Sequence, residues 1–111
     1  MINITIYQLQ DEQYVGLRME GHAAYAKHGK DIVCAGVSAL VINTINSIES
    51  FTDDNIQTNI QPDLVTMVMK NRPISSDAQL LLRSLVLGLK GIQGEYGNRY
   101  VKIKFKRKQE V

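Results

Sequence analysis

The sequence predicts an α+β fold, a single domain over residues 1–111 whose elements run ββαββαβ, with a mixed or antiparallel sheet packed with two helices. Three observations predict it. Ile2, Ile4 and Ile6 alternate with Asn3, Thr5 and Tyr7, and Val101, Ile103 and Phe105 alternate with Lys102, Lys104 and Lys106, the period of strands with one wet face. Two long segments, beginning near Ile32 and Ser76, space their apolar residues as amphipathic helices do. At 111 residues and 44% hydrophobic composition, the chain can fill one core but not two.

The first strand passes through a polar turn at Gln10 to Gln13 into a second one marked by Val15, Leu17 and Met19, which makes a hairpin. Gly21 to Asp31 follows, a stretch of small and polar residues without periodicity, long enough for a connection to suggest function. Ile32 to about Ser50 reads as a helix whose first half is apolar nearly all round and therefore central. Ile56, Thr58 and Ile60 predict a third strand, Pro62 and Asp63 a turn, and Leu64 to Met69 a fourth strand apolar on both faces. Ser76 with Gln79 suggests a capping box opening a second helix that runs to about Tyr96, and the lysine-flanked strand closes the chain. In that helix Ser84, Gly88 and Gly91 form a small-residue stripe. It predicts close packing inside the domain, with approach of a second subunit's helix as the other account.

The N-terminus has neither the basic nor the apolar region of a signal peptide, and no apolar run reaches the roughly 18 residues of a membrane span. One cysteine allows no intrachain disulfide, which favours a reducing cytoplasm. Six of the thirteen basic residues lie between Arg99 and Lys108 with no acid among them. The rest of the chain holds seven basic against eleven acidic residues, so the basic character belongs to one segment.

Reading Asp31 as N-cap places Cys34 at the third helical position, where unpaired N–H groups and the helix dipole favour a thiolate. The Asp31 carboxylate opposes this if it lies beside the sulfur and helps if it turns toward an imidazolium. By strand parity His22 falls opposite Val15, Leu17 and Met19, so it is not patterned as a core histidine, and Gly21 before it permits a sharp turn. A cysteine at a helix start with a histidine arriving from a strand end is what thiol activation requires. A lone cysteine in an apolar helix is otherwise a small hydrophobe, and spacing alone leaves both accounts open. Ser38 sits one turn beyond Cys34, either bonding back to its carbonyl or offering a polar contact near the thiol. His28 reads as a solvated loop residue. The spacing of His22, His28, Asp31 and Cys34 matches no standard zinc pattern, so neither a metal nor a cofactor is expected.

The segment GHAAYAKHGKDIVCAGVSAL, Gly21 to Leu40, resembles the signature of the ribosomal-processing cysteine protease family, Prp, of Firmicutes and relatives. The match covers Gly21-His22, the Gly29-x-Asp31 step, Asp31-Ile-Val-Cys34-Ala-Gly36 and Ser38, and the order of elements and the length also fit. The resemblance implies a single cysteine peptidase domain over 1–111 that acts in ribosome biogenesis. Its substrate would be the short N-terminal extension of a large-subunit ribosomal protein, number twenty-seven, cut after paired aromatic residues and before a small one. Cys34 would be the nucleophile and His22 the general base, with Asp31 and Ser38 in supporting positions. The resemblance also implies a homodimer.

Two expectations follow from chemistry once that role is granted. Backbone N–H groups at the helix start, that of Cys34 included, would serve the oxyanion. The loop flanked by Gly21 and Gly29 would be mobile and close over bound peptide. The alternative function is a non-catalytic ribosome- or RNA-associated protein using Lys102, Lys104, Lys106, Arg107 and Lys108. Lysines protecting an edge strand from unwanted pairing are the preferred account of that segment, and RNA contact is the secondary one.

Overall fold

The computed structural model describes residues 1–22, 26–27 and 31–108. Its elements are β1 (Ile2–Gln8), β2 (Tyr14–Gly21), α1 (Ile32–Phe51), β3 (Ile56–Gln61), β4 (Leu64–Met69), α2 (Ser76–Tyr96) and β5 (Val101–Arg107). The strands form one sheet in the order β3-β4-β2-β1-β5. All neighbours are antiparallel except β1 and β5, which are parallel from Ile2↔Val101 to Gln8↔Arg107. The expected α+β fold with its mixed sheet and two helices is therefore the observed one.

Alternation decides which face is dry. Ile2, Ile4 and Ile6 are buried, as are Val15 and Leu17 beside them, Val65, Met67 and Met69 on β4, and Val101 on β5. Both helices cover that face. α1 contributes Val33, Val37, Val41, Ile45 and Ile48, and α2 contributes Ala78, Leu82, Leu85, Val86 and Leu89, each set at the three- and four-residue spacing of a helix stripe. Fully burying one such aliphatic side chain is worth about 1.5–3 kcal/mol, which makes this layer the main source of stability. α1 is long and apolar enough to cross a membrane, but its Val and Ile stripe is the floor of this core.

The small residues of α2 do not all serve the close packing expected of them. A Cβ on Gly88 would stand 2.9 Å from Leu40 Cδ1 of α1, so Gly88 is there to let the helices approach. A Cβ on Gly91 would meet nothing within 4 Å, so Gly91 belongs to an outward stripe with Leu80, Ser84 and Leu87. Leu87 on this stripe is 75% exposed.

The start of α2 differs by one residue from expectation. Ser75, not Ser76, is the N-cap, accepting from the Ala78 N–H at 3.0 Å. The Gln79 side chain does not close a capping box. It clamps Tyr14 of β2 instead, accepting from its N–H at 2.8 Å and donating to its carbonyl at 2.6 Å. The same cap is tied to the α1–β3 connection through Asp54, which accepts from the Ser75 hydroxyl and N–H and from the Asn71 amide. Burial pushes the Asp54 carboxyl up, but the hydrogen bonds from Ser75, Asn71 and Thr52 outweigh it and hold the group at about 2.

Candidate active site

β2 ends at Gly21, whose φ of +88° only glycine adopts without strain. This turn ends the strand alternation, so the parity that put His22 on the face opposite Leu17 and Met19 does not carry past Gly21. His22 lines a cavity together with Met19. The cavity, about 440 Å³, is lined by Ile2, Met19, Gly21, His22, Ala26, Asp31, Cys34, Ala35, Ser38, Pro62 and Asp63. It thus gathers the end of β2, the first turn of α1 and the tip of the β3–β4 hairpin.

Asp31 is the N-cap of α1, with extended backbone (φ −81°, ψ 98°), and its Oδ1 accepts from the Cys34 N–H at 3.0 Å. Cys34 is therefore at the third helical position, as expected, half-buried and reduced. The orientation of Asp31, open at the sequence level, is that of a cap over its own helix start. One expectation needs correction. The Cys34 N–H, expected among the oxyanion donors, is engaged by Asp31. The N–H groups of Ile32 and Val33, at the first two helical positions, are the ones without an acceptor along the helix. Ser38 is exposed one turn further on and faces the same cavity.

Asp63 is the residue that sequence reasoning assigned only to a turn. Its Oδ1 lies 2.6 Å from His22 Nε2, and its backbone carbonyl accepts from the Gly21 N–H at 3.2 Å. An ionised carboxylate can only accept, so the bond places a proton on Nε2 and turns Nδ1 into the basic nitrogen of a neutral ring. The signal that could have found Asp63 is its place at the head of a hairpin next to β2, which emerges only with the strand order. Gly29 and His28 lie outside the described residues, and so does most of the loop expected to close over substrate. Among the described residues, no three His, Cys, Asp or Glu side chains stand close enough together to hold a metal ion.

A thiol at a helix start, an imidazole held by a carboxylate and an apolar-walled cavity between them are the equipment of a thiol hydrolase. The family model described as cysteine protease Prp matches residues 1–102. The ribosomal processing cysteine protease Prp of Staphylococcus aureus is 29% identical over 107 residues, covering 96% of this chain and all of the relative. That of Bacillus subtilis is 32% identical over 102 residues, covering 86% and 90%. Two crystal structures of the S. aureus protease superpose closely. One holds a covalently linked product peptide (TM-score 0.89, 28% identity) and one a substrate peptide (TM-score 0.84, 27% identity), each covering 96% of this chain and 100% of the other. This protein is a cysteine protease, and it belongs to the Prp family.

Proposed function

We propose that the chain is a cytoplasmic endopeptidase that removes the N-terminal extension of large-subunit ribosomal protein twenty-seven. It cuts after paired aromatic residues by means of a Cys34–His22 dyad. The observation that carries this reading is the single cavity shared by Cys34 and His22, brought from two different elements. The name of the relatives, ribosomal processing protease, and the peptide complexes of the S. aureus protein support the substrate class.

In this mechanism His22 Nδ1 takes the thiol proton, and the sulfur attacks the scissile carbonyl. The imidazolium then protonates the leaving amine, leaving a thioester on Cys34 that water hydrolyses with His22 again as base. Asp63 is a positioning residue, fixing the ring and its tautomer. Asp31 holds the first turn in shape by capping it, and the Ile32 and Val33 N–H groups face the developing oxyanion. Ser38 offers a polar contact to the bound peptide. Ile2, Met19, Ala35 and Pro62 supply apolar wall for the aromatic side chains before the cut.

The protein acts as a homodimer in this reading, with the exposed Leu80, Ser84, Leu87 and Gly91 stripe of α2 as the face between copies. The deciding experiment incubates a peptide containing Phe-Phe followed by a small residue with wild type, Cys34→Ala and His22→Ala. Cleavage between aromatic and small residue by wild type alone, abolished by alkylating Cys34, is the expected result. Turnover by Cys34→Ala at the wild-type rate would sink the proposal.

A further inference from the structure

The helices cover one face of the sheet and leave the other open. On that open face the outward positions of three neighbouring strands line up by register: Lys102, Lys104 and Lys106 of β5 lie beside Asn3, Thr5 and Tyr7 of β1, and Thr5 lies beside Arg18 of β2. Lys108 adds its ammonium 5.4 Å from the centre of the Tyr7 ring. Among the described residues, five cations thus share this surface, and its carboxylate Glu20 is already engaged by Arg18 at 3.2 Å. Two shallow depressions, of about 300 and 350 Å³, cross this face and meet at Tyr7 and Arg18, which line both. The second continues over Gln57, Asn59 and Thr66 of β3 and β4.

β5 is an edge strand, so edge protection accounts for lysines on it. It does not account for a cation at Arg18, on the central strand, or for a trough running away from the edge across four more strands. We propose that this face binds a single-stranded RNA segment, independently of the peptidase site on the helix side. The lysines, two residues apart along an extended strand, repeat at about 6.8 Å and present a row of charges to a phosphodiester backbone. Tyr7 offers a ring for base stacking, and the Asn3, Gln57 and Asn59 side chains offer donors and acceptors to base edges. A second copy of the chain is a poor occupant, because it would bring an equal set of cations against this one.

The test is fluorescence anisotropy with a labelled single-stranded RNA of mixed sequence, titrated with full-length protein at 50 and 200 mM salt. Five neutralised phosphates weaken binding about 130-fold over that range, and two weaken it about 7-fold. Wild type is expected to show the steep dependence and the triple variant Lys102→Gln, Lys104→Gln, Lys106→Gln the shallow one, with circular dichroism and melting as checks on folding. Glu20→Gln, which removes the acid and frees Arg18, tightens RNA binding several-fold, a gain that misfolding cannot produce. Arg83→Gln, on α2, leaves RNA binding at the wild-type level. Polyglutamate and vesicles rich in phosphatidylglycerol serve as rival polyanions. Absence of RNA binding at 50 mM salt overturns the proposal, as do affinity untouched by the triple or Glu20 variants and polyglutamate or vesicles binding as tightly as RNA.

Discussion

Replacing Asp63 by Asn tests whether the hairpin tip takes part in catalysis. The substitution keeps an oxygen within reach of His22 Nε2 but removes the charge that, in the proposed mechanism, favours the imidazolium formed when Cys34 loses its proton. A hydrogen bond to a charged group contributes about 1.5–3 kcal/mol when well shielded. Here the His22 and Asp63 side chains are 52% and 72% exposed, and water screens part of that interaction. A loss of about 1–2 kcal/mol is expected, about 5- to 30-fold in kcat/KM. The loss should fall on kcat, with KM little changed, because the charge matters after the substrate has bound. Steady-state cleavage of the Phe-Phe-small peptide measures both constants, and Asp63→Glu should recover part of the rate. An Asp63→Asn enzyme within two-fold of wild type would refute the reasoning, and so would a loss confined to KM.

Three further predictions concern packing, charge and assembly. A Cβ on Gly16 would stand 2.6 Å from the Met67 carbonyl oxygen in the neighbouring strand β4, whereas one on Gly88 would meet only the flexible end of Leu40. Gly16→Ala should therefore cost more than about 2 kcal/mol in urea unfolding. Gly88→Ala should stay within about 1 kcal/mol of wild type, its steric cost offset by better helix propensity.

The Asp54 carboxyl is held at about 2, below its ordinary 3.8. The stability it adds is present above that ordinary value and is lost as pH falls through about 2. Screened by solvent, it is worth about 1 kcal/mol, so urea midpoints should show Asp54→Ala weaker at pH 7 and the gap more than halved at pH 2.5. If the α2 stripe joins two copies as proposed, wild type should sediment as a dimer and Leu87→Lys as a monomer, whereas a wild-type monomer would refute the dimer and a Leu87→Lys dimer would move the interface elsewhere.

The strands announced themselves because their environment is two-sided. Ile2, Ile4 and Ile6 alternate with polar residues since one face meets helices and the other water. Cys34 could be placed at the third helical position because an Asp31 cap is a local event, settled within four residues. Asp63 was out of reach for the opposite reason. Its meeting with His22 joins residues 41 apart in sequence and depends on β4 pairing with β2, a choice made by the whole sheet. Gln79 was misplaced for the same cause, since its partner Tyr14 is 65 residues away. The lysine strand was legible as a strand, but its neighbours were not. Only the parallel pairing with β1 revealed that its cations share a face with Arg18.

That parallel pairing also sets the order in which the protease can come into being. His22, Asp31, Cys34, Ser38 and Asp63 have all been synthesised by the time β4 begins. Ile2, which walls the cavity, nevertheless has its N–H tied to the Tyr100 carbonyl and its strand flanked by Val101. Contacts that close so long a loop form late in folding, after the local hairpins and helices. The thiol, made well before β5, gains its finished surroundings only when that strand docks, so the topology holds back the proposed cutting site until β5 has been made.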